Sequence, residues 1–316
     1  MSEKDTVKDS KGKVLVTGGH GFVGAYLVDR LLSDGYEVYV IDDHSSSTDT
    51  NITTNAKANN FEVNICDFEA IDKFFQENQD FDYVFHLAAD SKFVNCAMNA
   101  VKAQVINSIG TVNMLQYSNI IGVRKFILCS TGGVYGVTNQ PPFDEDMPVD
   151  NSNPLAVSKS TAESLCEMFY RFYNLPTVSL RLFNVFGDGA KDDGFKAPVV
   201  AALLKQHKEG LKFTIHGDGA QSRDFVHVED VVQAIMLAVE SENDQILGEV
   251  FNVGSGKSYS VMEVVEMIAG KGKKKYNFLP TRAGEPAKST ANINKIKKML
   301  NWKPVKTLKE YINSKK

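Results

Sequence analysis

The octapeptide TGGHGFVG, residues 17–24, limits what this chain can fold into more than any other stretch of its sequence. It follows a short apolar run, 13–17, that predicts a strand, and it opens residues 22–32, whose apolar positions recur at helical spacing. Gly18, Gly21 and Gly24, set between a strand and a helix, let the chain turn tightly, bring backbone N–H groups up to a diphosphate and pack the helix against the sheet. Phe22 and Val23 share the first helical turn with Gly24 and belong to the same cradle. No lysine followed by Ser or Thr closes the turn, so a nucleoside-triphosphate loop matches poorly. The next predicted strand, 37–41, runs into Asp42 and Asp43 and completes a βαβ unit. A carboxylate at Asp42 accepts hydrogen bonds from both adenosine ribose hydroxyls and repels a 2′-phosphate, which favours NAD over NADP. Asp43 and the lack of a nearby arginine point the same way, and either acid can instead cap a turn. Asn64 and Ile65, ending a predicted strand at 61–65, are placed to bond and to cover an adenine, and a turn cap explains Asn64 equally well.

Strand and helix signals go on alternating, with helices expected at 67–77, 99–121 and 158–172 and strands at 83–87, 125–130 and 178–182; residues 44–60 read as a polar loop. This order predicts an α/β chain, a Rossmann-like doubly wound parallel sheet with a smaller C-terminal substrate-binding lobe. Its ligands should gather beyond the carboxyl ends of the strands. After about residue 185 the texture turns irregular and glycine-rich, with helices at 198–207, 228–240 and 261–268. The expected division is a polar leader at 1–12, a mainly NAD-binding domain at 13–184, and a mainly substrate-binding lobe at 185–316 that returns some segments to the core. Thirty-five basic against 39 acidic side chains give a charge of −4, so no general positive field argues for nucleic acid or an anionic membrane. Cys66, Cys96, Cys129 and Cys166 form no CxxC pair, which signals neither a zinc framework nor a disulfide scaffold and fits a reducing, cytoplasmic setting. The opening MSEKDTVKDS is polar, and no apolar run is long enough to span a membrane. His20 and His86 have no third ligand at a recognisable spacing, so no metal is expected.

At this point the chain resembles the extended short-chain dehydrogenase/reductase family, especially nucleotide-sugar epimerases of the UDP-galactose/UDP-N-acetylglucosamine 4-epimerase group. The resemblance runs through TGGHGFVG, VIDD at 40–43, HLAA at 86–89, NSIGT at 107–111, STGGVYG at 130–136, SK at 158–159, RLFNVFG at 181–187, SRDFVHVEDV at 222–231, FNVGSG at 251–256 and RAGEP at 282–286. It implies that Leu87, Ala88, Ala89 and Asn107 join the dinucleotide site, that Thr131 orients a sugar hydroxyl, and that Lys159 holds the nicotinamide ribose. In the shared mechanism a tyrosine phenolate four residues before this lysine takes the sugar proton while the nicotinamide takes hydride. That position here is Leu155, which cannot titrate. A positioned base contributes roughly 10²–10⁴ in rate, so Leu155 bears directly on turnover.

The same resemblance places Lys92, Thr131, Asn184, Arg223 and Arg282 on the substrate, Asn184 and the two arginines gripping its diphosphate. It makes Ser289 a small wall residue that leaves room for a 2-acetamido group; Ile215 either covers the base with His216 beside it, or is a core residue next to an exposed histidine. Gly132 and Gly133 stand where nucleotide-sugar 4,6-dehydratases carry an acid pair. The expected activity is NAD-dependent interconversion of UDP-GlcNAc and UDP-GalNAc, and of UDP-Glc and UDP-Gal, through a 4-keto intermediate, in a homodimer. The alternatives are a 4-reductase, a dehydratase or a decarboxylase on a nucleotide sugar, or a catalytically impaired binding protein or engineered variant, for which Leu155 is the argument.

Overall fold

The structure is a computed structural model, described over residues 10–45, 55–190, 197–272, 274–282 and 284–316. The start of the polar leader, the middle of the 44–60 loop and Ala283 of RAGEP lie outside the described residues. Among those described, seven strands form one all-parallel sheet: β1 (Lys13–Thr17), β2 (Glu37–Asp42), β3 (Asn59–Glu62), β4 (Tyr83–His86), β5 (Lys125–Thr131), β6 (Thr177–Leu182) and β10 (Val250–Val253). Their order is β10-β6-β5-β4-β1-β2-β3. The chain builds outward from β1 to β3 and then restarts on the other side of β1 with β4, which makes the ends of β1 and β4 the point where strand order reverses. This is the expected Rossmann-like sheet.

Helices cover both faces, which explains why β5, KFILCST, is buried along almost its whole length instead of alternating. One face carries α1 (Phe22–Ser33) and α8 (Val228–Glu240), packed around Leu27, Leu31, Val231 and Ile235. The other carries α2 (Phe68–Glu77), α5 (Gly110–Ile121) and α6 (Pro154–Tyr173), whose core includes Phe74, Leu115 and Phe169. Between β4 and α5 the chain makes α3 (Phe93–Met98) and α4 (Ala100–Gln104).

Three sequence expectations need correction. The helix expected at 158–172 begins at Pro154, because Asn153 accepts a hydrogen bond from the Ala156 N–H and a proline in the first turn loses no hydrogen bond. The helix expected across 99–121 contains a π-helical turn, Val105–Ile109, between α4 and α5. The strand expected at 61–65 is β3, Asn59–Glu62; the Asn64 side chain turns the chain by accepting from the Cys66 N–H.

The remaining elements build a lobe beyond the carboxyl edge of the sheet. β7 (Asn184–Phe186) follows β6 directly and pairs in parallel with β9 (Ser222–His227), which pairs in turn with β11 (Ser258–Ser260). β8 (Phe213–His216) pairs with β12 (Tyr276–Leu279), and α7 (Val199–Lys208), α9 (Val261–Ala269) and α11 (Leu308–Ser314) close a second core around Leu203, Ile215, Val265 and Ile312. β10 and α10 (Asn294–Leu300) return to the sheet side, where Ile296 and Leu300 join the α1/α8 core.

Candidate active site

The glycine turn is built against the neighbouring strand end. Gly18 sits at φ +70°, and a Cβ there would come within 2.6 Å of the Ala88 N. A Cβ on Gly24 would overlap the Gly18 carbonyl, whereas one on Gly21 would meet only that carbonyl, at 3.2 Å, and otherwise project into open space. Gly21 is the N-cap of α1 and no side chain caps the helix. The N–H groups of its first turn, at Phe22, Val23 and Gly24, are therefore the natural partners of an anion. Asp42 is buried at the end of β2, one carboxylate oxygen accepting from the His20 N–H and the other from the His44 N–H. Asp43 instead accepts from the N–H and hydroxyl of Ser45, the turn-capping role. Ile65 is buried against Gly110. A turn with no room for a side chain at Gly18 or Gly24, an uncapped helix and a carboxylate at the second strand end fit a dinucleotide.

A buried relay ties this cradle to the catalytic helix. The Ala88 N–H donates to Thr17 Oγ1, which lies 2.8 Å from His86 Nδ1. Thr111 spends its proton on the Asn107 carbonyl, so His86 Nε2–H donates to Thr111 Oγ1, 3.0 Å away. Burial, with the Lys159 charge adding to it, pushes the His86 pKa down to about 3, so the ring stays neutral in this one tautomer. Asn107 lies in the π-helical turn and donates to the Asp90 carbonyl and to Ser158 Oγ while accepting from the Asp90 N–H. The loop after β4, with Leu87, Ala88 and Ala89, is thereby fixed to α6.

On α6 Leu155 and Lys159 stand one turn apart. Lys159 is buried, its Nζ 2.7 Å from the Cys129 carbonyl, and burial lowers its pKa. Thr131 Oγ1 accepts from the Gly133 N–H, and a Cβ on Gly133 would lie 3.3 Å from Thr131 Oγ1 and 3.8 Å from Leu155 Cδ2. The three positions do converge, and where a phenol would stand there is an isobutyl group packed with Phe93, Cys96 and Ala103. Lys92, half-buried, heads the helix that carries Phe93. Below them lies a buried ion pair absent from the sequence reading: Arg181 Nε and Nη2 bond Glu163, which also accepts from Ser130 Oγ, and Arg181 Nη1 donates to the Tyr135 hydroxyl. Glu163 is one turn beyond Lys159, a spacing that the sequence shows.

The arginines meet in the lobe. Arg223 on β9 and Arg282 each lie 3.2 Å from a different oxygen of Glu285, a residue not singled out in the sequence although it stands inside RAGEP. His216 Nδ1 can only donate to the Pro280 carbonyl, and its Nε2 faces Arg282. Two guanidiniums thus converge on the two oxygens of one carboxylate. Gly284 brings this loop over the catalytic helix: a Cβ there would lie 3.4 Å from Phe93 and 3.7 Å from Asn153. Asn184 is exposed and donates to the Asp224 carbonyl. The Asp224 carboxylate is fully buried and accepts from the N–H groups of Ser255, Gly256 and Ala291, which pins FNVGSG to the segment after Ser289. Ser289 is itself buried, its N–H on the Ser222 carbonyl. Ile215 takes the core role instead of covering a base: it is 0% exposed in the lobe core and has no face to offer one.

The profile of the NAD dependent epimerase/dehydratase family matches residues 14–254. A UDP-glucose 4-epimerase of Mycolicibacterium smegmatis is 33% identical over 306 residues, covering 95% of this chain and 96% of the relative. UDP-glucuronic acid decarboxylase 1 of Danio rerio is 30% identical over 321 residues, covering 99% of this chain and 72% of the relative. The solved structure of UDP-glucose 4-epimerase from Thermotoga maritima with UDP-glucose is similar at a TM-score of 0.88 and 35% identity, covering 95% of this chain and 96% of that one. The ordered motifs, the sheet and these matches agree: the chain belongs to the NAD-dependent epimerase/dehydratase family and is an NAD-dependent enzyme.

Proposed function

We propose that the chain is a UDP-sugar 4-epimerase, acting on UDP-GlcNAc and UDP-GalNAc and also on UDP-Glc and UDP-Gal. The observation that carries this reading is the end of β5, where Thr131 and Leu155 stand beside Gly133 and Lys159 donates to the Cys129 carbonyl. Such a site can move one hydroxyl proton, and Gly132 and Gly133 supply no acid to expel a second oxygen. NAD supplies a hydride acceptor and donor when bound, against the uncapped turn of α1 and with Asp42 at its adenosine ribose. Arg223, Arg282 and Asn184 hold the substrate diphosphate. Thr131 orients the C4 hydroxyl, and the two glycines leave room for the 4-keto sugar to turn over. With Leu155 in the phenol's place, Lys159 is the group left to take the proton, aided by the burial that makes its neutral form accessible. Ser289, small and buried, leaves space for an acetamido group.

Product analysis tests this directly. Incubated with each UDP-hexose, the protein should yield the C4 epimer with no net NADH. Carbon dioxide released from UDP-glucuronic acid, or a 4-keto-6-deoxy product, would replace the reading with decarboxylation or dehydration. The four free cysteines support a cytoplasmic setting. Exposed apolar side chains along α3 to α5 and on α6 support a homodimer.

A further inference from the structure

His20 and His44 lie 24 residues apart, yet the βαβ turn brings their Nδ1 atoms to 3.3 Å. With a carboxylate oxygen of Asp42, these ligand atoms all lie within 4.8 Å of one another. Tetrahedral zinc with bonds of about 2.0–2.1 Å holds its two nitrogens about 3.3–3.4 Å apart. The hydrogen bonds around His20 fix its tautomer. Asn60 Nδ2 donates to the carbonyls of Asn55 and Ala58, so Asn60 Oδ1 is an acceptor and His20 Nε2 must carry the proton. That leaves a lone pair on His20 Nδ1, and an N–H held by an amide oxygen on the far side is the arrangement that orients a metal-ligating histidine. Asp42 anchors both ligand residues through their backbone N–H groups and keeps further lone pairs.

We propose that His20, Asp42 and His44 form a site for an imidazole-preferring divalent cation such as Zn²⁺, and that its occupancy excludes the dinucleotide from Asp42. The exclusion rests on the reading that Asp42 takes the adenosine ribose; the cation site itself does not. The rings now stack, with 4.7 Å between centroids and 20° between planes, and with His20 Nδ1 the acceptor the shared proton lies on His44 Nδ1, so the cation is bound only when it displaces that proton and the rings splay to aim both lone pairs inward. His44 is exposed and His20 half-buried, and rotations of such side chains take picoseconds to nanoseconds. The cation is inhibitory, since the same carboxylate cannot serve it and two ribose hydroxyls at once.

Zinc alone is the probe, titrated calorimetrically into the full chain with and without saturating NAD⁺. One Zn²⁺ per chain is expected, with affinity at least tenfold weaker in His20→Asn and in His44→Asn and weaker again when NAD⁺ is present. Asparagine suits position 44, whose φ of 55° is left-handed. No zinc binding, or binding that both substitutions leave unchanged, overturns the site. Binding lost in both variants but indifferent to NAD⁺ overturns the exclusion. A separate NAD⁺ titration of Asp42→Ala then tells whether the assignment of Asp42 to the ribose has failed with it.

Discussion

Leu155 is where the chemistry is most exposed to test. It occupies the catalytic face of α6 one turn before Lys159, against Gly133 and Thr131, so Leu155→Tyr should set a phenol beside a lysine whose charge favours the phenolate. We expect kcat for UDP-hexose epimerisation to rise about 10²-fold or more, the contribution of a positioned base, measured as epimer formed per minute. A folded variant that binds substrate and gains nothing would show that more than the phenol limits turnover. The pH profile discriminates further: with Lys159 as base, activity in the Leu155 form should rise with pH along a limb set below the ordinary lysine pKa, and Lys159→Met should remove it. His86 makes a different prediction, about stability. Folded, it stays neutral down to about pH 3; unfolded, it takes a proton below about pH 6.5. The unfolded state therefore binds more protons between these values, and stability falls as pH falls. From pH 6.5 to 5 this amounts to about 2 kcal/mol, at about 1.4 kcal/mol per pH unit. Urea unfolding at the two pH values should show that loss, and His86→Asn, less stable overall, should show a flatter dependence.

The elements divide into those whose local signals agree and those set by distant partners. β1, α1 and β2 were legible because turn, period and strand end all gave one answer within 30 residues. The start of α6 was not: a proline stops a helix as readily as it starts one, and only Asn153 accepting from the Ala156 N–H shows Pro154 as a helical first residue. The π-helical turn is held by Asn107, whose partners Asp90 and Ser158 lie on other segments, so no local period could disclose it. The same holds for the pairing of Glu163 with Arg181 and for the Arg223–Glu285–Arg282 cluster, which strand pairing assembles. Ser289 was visible only by its place after RAGEP; the structure adds that it lies in a strap between the Ser222 carbonyl and the Phe143–Ala291 bridge. A strap tied at both sides cannot shift to admit a large ring. Ser289→Tyr should therefore weaken UDP-GlcNAc and UDP-GalNAc by about 1–3 kcal/mol, the usual cost of overpacking, and UDP-Glc and UDP-Gal by clearly less, as read by calorimetric titration of all four. Equal losses would remove Ser289 as the gate for sugar size.

Taken as a whole, the molecule leaves one face unfinished. Met98 and Val101 are about three-quarters exposed, and Val105 and Ile109, also exposed, follow Val101 at spacings of four residues. On α6, Phe172 is 75% exposed and borders a hollow shared with Ser164, Glu167, Met168 and Arg171. α6 packs directly on both α4 and α5, so these exposed apolar side chains lie on neighbouring helices. These exposed side chains sit on the same stretch of helices that carries Leu155, Lys159 and Asn107. A second copy placed there by a two-fold axis would bury like against like and stiffen α6 beneath the catalytic residues. Light scattering should then give twice the 34.9 kDa chain mass. Phe172→Glu puts a charge on each side of the axis and changes nothing that the monomer buries; it should shift the mass to that of one chain at micromolar concentration while the thermal unfolding of the isolated fold stays cooperative. A Phe172→Glu protein that remains dimeric, or a parent chain that is monomeric at high concentration, would assign this face to something other than self-association.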